Sequence, residues 1–147
     1  MEDGVSFGKL DFDSGERFQR LRGELGVTTL GLNLMVLQPG QRGRIHEHER
    51  QEEIYLVLEG TLTLVLEGDE HDLGEGELVR VAPAVRRQLV NRGPGRLALL
   101  ALGGSQPHEG RDGSAFESWS ASEGRPPQEL PVPENLPPHE LRLERSA

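Results

Sequence analysis

The 147-residue chain contains no cysteine, which excludes disulfides, thiolate metal ligands, CxxC redox chemistry and a cysteine nucleophile at one stroke. Any metal must be held by histidine and carboxylate. Positive charge is in deficit: 16 Lys+Arg stand against 25 Asp+Glu, a formal net charge of −9. A surface of that sign repels DNA, RNA and anionic lipid, so nucleic-acid and membrane-surface partners are excluded as expectations. Lysine occurs once, at Lys9, against fifteen arginines, a bias that reflects genome composition more than function. Long apolar runs are also missing. The longest is the six residues Leu97 to Leu102, far short of the roughly 20 needed to span a bilayer. Met1-Glu2-Asp3-Gly4 leads into no apolar stretch of the signal-peptide kind, so the expectation is a cytoplasmic protein. There is no Walker A loop or H-E-x-x-H helix, which removes the nucleotide and zincin readings; the G-x-S-x-G spacing of Gly4-Val-Ser-Phe-Gly8 is preceded by the acidic Glu2-Asp3 rather than by the apolar strand a nucleophile elbow needs, which removes the serine hydrolase reading. Gly74-Glu75-Gly76 is too acidic to cradle phosphate.

What is present suffices for one folded domain. The hydrophobic fraction is 34%, and the 19 glycines bring the apolar share to about 47%, the usual range for a globular chain. Between residues 27 and 103 short apolar runs alternate with Gly, Pro, Asn, Asp or charged pairs, which is strand spacing. The expected strands are 27–37, 43–48, 53–58, 61–66, 77–81, 86–90 and 96–102. Thr61-Leu-Thr-Leu-Val-Leu66 alternates almost strictly, so Leu62, Leu64 and Leu66 share one buried face. Glu59-Gly60, Glu67-Gly-Asp-Glu70 and Asn91-Arg-Gly-Pro-Gly95 carry the glycines that tight hairpins need. Many short strands without helical crossovers imply an all-β sandwich or barrel. Ile54, Leu56 and Leu58 form one apolar face of their strand, with Tyr55 and Val57 on the other. That strand therefore needs cover on both sides, from a partner sheet or from the tail.

The flanks differ from this core. Residues 1–26 read as an N-terminal extension in which Phe18, Leu21 and Leu25 have helical spacing behind a Ser14 cap, with Gly23 as a weak point. Residues 104–147 read as a proline-rich C-terminal tail, with six of the ten prolines between Pro126 and Pro138, unable to form a sheet of its own. Phe116, Trp119, Leu130 and Val132 are apolar anchors for a strap laid over the barrel or over a neighbouring subunit.

One constellation carries chemistry. His46 and His48 are two apart on a strand, so both imidazoles leave one face with Cα atoms ~6.6 Å apart, close enough to converge on one metal. Glu53 opens the next strand after the turn at residues 49–52, and Glu52 faces away by strand parity. Two His and one carboxylate with open positions suit non-haem Fe(II) and accommodate Mn, Ni or Zn.

The run from Gly40 through His46, His48 and Glu53 to Gly60 resembles the first conserved motif of the cupin superfamily in its glycines, histidines, glutamate and all spacings. A degraded second motif is visible from Gly76 to Asn91, with Pro83 close to the expected proline. Its third metal histidine is replaced by Arg87, which has a permanent charge and no lone pair to donate; a register fixed on Pro83 would instead put Gln88 in that slot. The resemblance implies a single-domain cupin, a double-stranded β-helix or jelly-roll barrel over residues 27–103, often homodimeric, with its pocket in the barrel mouth. It also implies a small-molecule ligand.

Two structures of the site stay open. In one, a divalent metal (Fe, Mn, Ni or Zn) sits on His46, His48 and Glu53, and the protein is a metal-dependent dioxygenase or isomerase. In the other, the pocket is metal-free, Arg87 pairs with Glu53, and the protein binds or senses a ligand without catalysis. Arg44 shares the parity of His46 and His48. It either clamps an anionic substrate group, together with Arg87, or pairs with a glutamate such as Glu59. Tyr55 either donates a hydrogen bond into the pocket or packs in the core. His71 reads as a solvated turn residue, and His108 and His139 as tail residues without a role.

Overall fold

A computed structural model describes residues 4–105 and 112–143. His108, discounted above, lies outside the described residues. Ten strands carry almost all of the regular structure: β1 (Phe18–Arg20), β2 (Gly31–Leu37), β3 (Ile45–His48), β4 (Glu52–Glu59), β5 (Leu62–Leu66), β6 (Asp69–Leu73), β7 (Leu78–Val81), β8 (Arg87–Val90), β9 (Leu97–Gly104) and β10 (Gly113–Phe116). The helices are α1 (Leu21–Leu25) and two single 3-10 turns at Pro127–Glu129 and Pro138–Glu140. The strands form two five-stranded antiparallel sheets, ordered β1-β2-β9-β4-β7 and β10-β3-β8-β5-β6. The all-β double-sheet architecture is the one the strand spacing implies.

Leu37, Tyr55, Val57, Leu62, Leu64, Leu97 and Leu99 face inward from the two sheets and are almost completely buried together. The alternation that defines these positions is the period of two of a pleated strand, which is why the inward residues of β4 are Glu53, Tyr55 and Val57. Two satellite cores lie outside this sandwich. Leu34, Val36 and Ala98 of the first sheet are covered by Leu21 together with Leu10, Phe12 and Leu25 from the N-terminal segment. Val65 and Val90 of the second sheet are covered by Leu136, Trp119 and Leu141 from the tail. The tail is a strap: Phe116, Leu130 and Leu136 are buried, whereas Val132 is exposed. β5 consequently buries both faces, Thr63 and Val65 as well as Leu62 and Leu64.

Glycine sets the turns that hold these sheets in register. At the β4–β5 link Gly60 has φ +82°, and a Cβ there would run into the Arg96 carbonyl, so neither the backbone conformation nor the space admits a side chain. The β5–β6 hairpin closes through Glu67 (φ 49°) and Gly68 (φ 90°), the pair of positive φ values of a type I′ turn.

Three elements depart from expectation. The helix expected behind Ser14 is a strand followed by one helical turn, because Phe18, Gln19 and Arg20 pair with Met35, Leu34 and Asn33 at the open edge of β2. β6 is a strand where only a turn was read, with His71 paired against Leu64 and exposed. β10 extends the second sheet beside β3, pairing Ala115 with His46.

Candidate metal centre

β3 and β4 build the site. Arg44, His46 and His48 alternate along one edge of the chain and Glu53 enters from β4, so the pleat aims all four side chains into the same pocket. His46 Nε2 lies 3.4 Å and His48 Nε2 3.0 Å from the same oxygen, Glu53 Oε1. One ligand atom from each of the three residues falls within 4.8 Å of the others. Donors bound to one metal at ~2.0–2.2 Å stand about 3–3.5 Å apart, so both measured separations match a shared ion. The rings of His46 and His48 meet edge to face, with centroids 5.3 Å apart.

The hydrogen bonds around the ring nitrogens decide what the histidines present. His48 Nδ1 lies 2.9 Å from Asp112 Oδ1, and Asp112, with its side chain 2% exposed, can only accept. Nδ1 therefore carries the proton. His48 Nε2 is buried and makes no hydrogen bond, its approach to Glu53 notwithstanding. A buried Nε2 that faces a carboxylate oxygen at 3.0 Å without a well-directed hydrogen bond fits a cation shared by the two, and a histidine oriented by a carboxylate on its other nitrogen is the usual support of a metal ligand. His46 Nδ1 lies 3.1 Å from the Arg44 carbonyl, which orients that ring in the same way.

The charges are consistent with this arrangement. Burial pushes Glu53 up, but hydrogen bonding to His46 and His48 and the charges of both histidines hold it well below the ordinary carboxylate range. Burial pulls His48 down, and the Glu53 and Asp112 carboxylates outweigh it, so its pKa is raised. A cation would take the place of that proton. Asp112 is opposed by burial and stabilised by the backbone N–H groups of Arg50 and Gln51, which leave its pKa at about 2.

Arg87 is completely buried and stands directly opposite His46 in the β3–β8 register. Gln88 turns away and donates to the Gly43 carbonyl, so Arg87 occupies the slot of the missing third histidine. Its guanidinium donates to the Ala82 carbonyl at 2.9 Å and the Pro83 carbonyl at 3.4 Å. Its Nε has no hydrogen-bond partner and lies 3.9 Å from Glu53 Oε1, a through-space pairing without a hydrogen bond. Tyr55 satisfies both of its readings: it is buried in the main core, and its hydroxyl donates to Glu53 Oε1 at 2.6 Å. Burial, followed by the Glu53 charge, raises its pKa well above the ordinary value, so it is a fixed donor.

The ion pair offered for Arg44 with Glu59 does not form. Glu59 lies at the far end of β4 and is taken by Arg96 at 3.0 Å, whereas Arg44 Nε donates to the Leu130 carbonyl of the strap at 3.0 Å. Glu52 faces away, to Arg80 at 2.6 Å. His71 and His139 are exposed and far from the pocket in the chain's topology.

The pocket has a volume of about 220 Å³, smaller than the ~300–1,000 Å³ of sites for drug-sized ligands. Met35, Leu37, Leu89 and Ala101 make its apolar wall, and Arg17, Phe18, Pro127 and Val132 from the flanks line it as well. Sequence reasoning missed Asp112 and Arg17. Neither carries a local signal, since each reaches the site through a strand pairing that only the folded chain shows.

No curated protein matches this chain. A solved structure of a sugar phosphate isomerase from a cupin superfamily of Silicibacter pomeroyi is similar, at 27% identity and TM-score 0.63, covering 76% of this chain and 83% of that one. A cupin 2 conserved barrel domain protein of Salinispora arenicola is 26% identical, with TM-score 0.56, and the match covers 66% of this chain and 82% of that one. A cupin protein of Bacteroides fragilis shares the fold at 20% identity and TM-score 0.62, over 69% of this chain and 85% of its own. The family model described as the cupin domain matches residues 33–103, the span that holds both motifs, and with the double sheet and the His46, His48 and Glu53 geometry it places this chain in the cupin superfamily.

Proposed function

We propose that the barrel binds a divalent metal through His46, His48 and Glu53 and that the protein is a metal-dependent enzyme acting on a small molecule held in the pocket, an isomerase in reaction class. The observation that carries the reading is the buried Nε2 of His48, which faces Glu53 Oε1 at 3.0 Å without a well-directed hydrogen bond while Asp112 holds the ring in its metal-binding tautomer. The ion would supply Lewis acidity to a substrate oxygen. The chain's own residues do the rest. Tyr55 fixes Glu53, Asp112 fixes His48, the apolar wall excludes water, and Arg44 favours an anionic ligand. Isomerisation is favoured over O2-dependent oxygenation by the likeness to the Silicibacter pomeroyi sugar phosphate isomerase. An O2-uptake assay separates the two.

The metal-free alternative has one observation in its favour, the buried guanidinium of Arg87 3.9 Å from Glu53 Oε1. Elemental analysis of untagged protein purified without chelator distinguishes them. Near-stoichiometric Fe, Mn, Ni or Zn, lost in His46→Ala, supports the metal reading. Protein that is metal-free and takes up no added Fe(II), Ni(II) or Zn(II) overturns it and favours a ligand-binding or sensor role.

We also read the protein as a homodimer. Ile54 (38% exposed) and Leu78 (63% exposed) leave an uncovered apolar patch on the outer face of β4 and β7, beyond the reach of the N-terminal cover.

A further inference from the structure

We propose that Arg17 and Arg44 form a two-guanidinium clamp at the pocket mouth that recognises the phosphate monoester of a small substrate, with the reacting end of that substrate at His46, His48 and Glu53. This rests on the pocket being the substrate site. Arg17 immediately precedes β1 and Arg44 immediately precedes β3, yet both line the one cavity that also contains the three candidate ligands. Phe18 and Val132, both exposed, line the same cavity and mark its open end.

The chain carries 25 acidic residues against 16 basic ones, so a cation near a surface readily finds a carboxylate. Arg80, Arg92, Arg96 and Arg142 each hold one. Arg17 and Arg44, like Arg42 and Arg86, have no acidic group within 4.0 Å among the described residues, and of these four only Arg17 and Arg44 line the cavity of the three candidate ligands. Each instead donates to a carbonyl, Arg17 Nη1 to Arg42 at 3.1 Å and Arg44 Nε to Leu130 at 3.0 Å. Those bonds orient the side chains and leave most of the five N–H donors of each guanidinium open. Burial and the like charge of Arg44 both lower the pKa of Arg17, so the two cations are close enough to repel. They remain together without a compensating protein anion.

Two adjacent positive charges with forked donors match a group bearing two negative charges and several acceptor oxygens. A phosphate monoester, with its second pKa near ~6, is that group at neutral pH, and a carboxylate supplies half the charge. Arg44 stands one strand step, about 6.6 Å between Cα atoms, from His46. A short carbon skeleton therefore spans the clamp and the candidate metal centre.

The test is calorimetric titration of full-length protein at pH 8 and low salt with glycerol 2-phosphate, propionate and glycerol. The expected result is binding of glycerol 2-phosphate, at least tenfold weaker binding of propionate and none of glycerol. Arg17→Gln and Arg44→Gln should each weaken the phosphate ester about tenfold or more, while Arg17→Lys, which keeps the charge, retains most of the affinity. Unchanged affinity in both glutamine variants, or propionate binding as tightly as the ester, overturns the clamp. His46→Ala separates this failure from failure of the metal reading. Phosphate affinity preserved in that variant supports the clamp, whereas affinity lost there and retained in Arg17→Gln places the phosphate on the metal and refutes the clamp alone.

Discussion

Replacing Arg87 with glutamine should raise the affinity of the site for a divalent cation, although it removes a well-ordered side chain from the centre of the barrel. Arg87 Nε lies 3.9 Å from Glu53 Oε1, so a cation held by that oxygen is about 5 Å from a fixed positive charge. The repulsion of a divalent ion at that distance is about 1.7 kcal/mol at the dielectric constant of bulk water and about 6.6 kcal/mol at an effective value of ~20. Even the smaller figure corresponds to more than tenfold in affinity. An opposing cost falls on folding: the Ala82 and Pro83 carbonyls lose their donor, at about 1–3 kcal/mol if nothing replaces it. The two effects appear in different measurements. Competition of chelator-stripped protein against a fluorescent zinc indicator should show tighter binding by Arg87→Gln, while the metal-free variant melts several degrees lower. Arg87→His should bind tighter still, because it removes the charge and places an imidazole opposite His46. If folded Arg87→Gln binds zinc no better than the parent, no cation sits beside Glu53 and the metal assignment fails.

Three further variants test the site, the strap and the outer face of the sheet. Asp112→Asn should weaken metal binding about 10–100-fold, the usual effect of losing the group that orients a ligating histidine, and metal affinity unchanged in that variant would remove Asp112 from the site. The folded-state pKa of Asp112 is about 2 against an ordinary 3.8, so its stabilising contribution is complete above the ordinary value and disappears as pH falls towards 2; the acid limb of metal-free Asp112→Asn, followed by circular dichroism, should be flatter than the parent's. Leu136→Ala removes the buried anchor of the strap against Val65 and Val90, and should cost about 2–3 kcal/mol in urea unfolding. Leu78→Glu places a charge in the exposed apolar patch, and sedimentation should report a dimer for the parent and a monomer for the variant; a monomeric parent overturns the homodimer reading.

The convergence of His46, His48 and Glu53 was legible because strand parity is local information. Two histidines at i and i+2 must share a face, and strand parity puts Glu53 on the face of Tyr55 and Val57 and Glu52 on the other. The slot of Arg87 was legible for a related reason, since Gly76 and Asn91 bracket it, and its pairing with His46 agrees. The missed strands lack any such pattern. β6 is Asp69-Glu-His-Asp-Leu73, four exposed polar residues and one buried leucine, a segment with no alternation to detect. It is extended because the Glu67-Gly68 turn returns the chain along the free edge of β5. β1 carries a helical apolar spacing, and the unpaired edge of β2 overrides it. Propensity decides little where a hydrogen-bonding edge is waiting.

The residues that escaped the sequence reading also divide the labour of the site. The cupin-domain match covers residues 33–103, which includes every candidate ligand, Tyr55 and Arg87. Arg17, Asp112, Pro127 and Val132 all lie outside it and all bear on the pocket or its ligands. Asp112 is 64 residues from His48 along the chain, and the Arg44 guanidinium is held by a strap residue 86 positions away. The barrel thus supplies the candidate donors, while the flanks orient one of them and complete the rim of the pocket. Changes at the rim residues Arg17, Pro127 and Val132 should alter the ligand with little effect on a cation at His46, His48 and Glu53, whereas a change at Asp112 reaches the donors through His48. On the proposed reading, two chains that share the run from Gly40 to Gly60 and an acid at the position of Asp112 but differ at the rim should bind the same cation and prefer different ligands, which would put ligand choice in the segments where the sequence is least patterned.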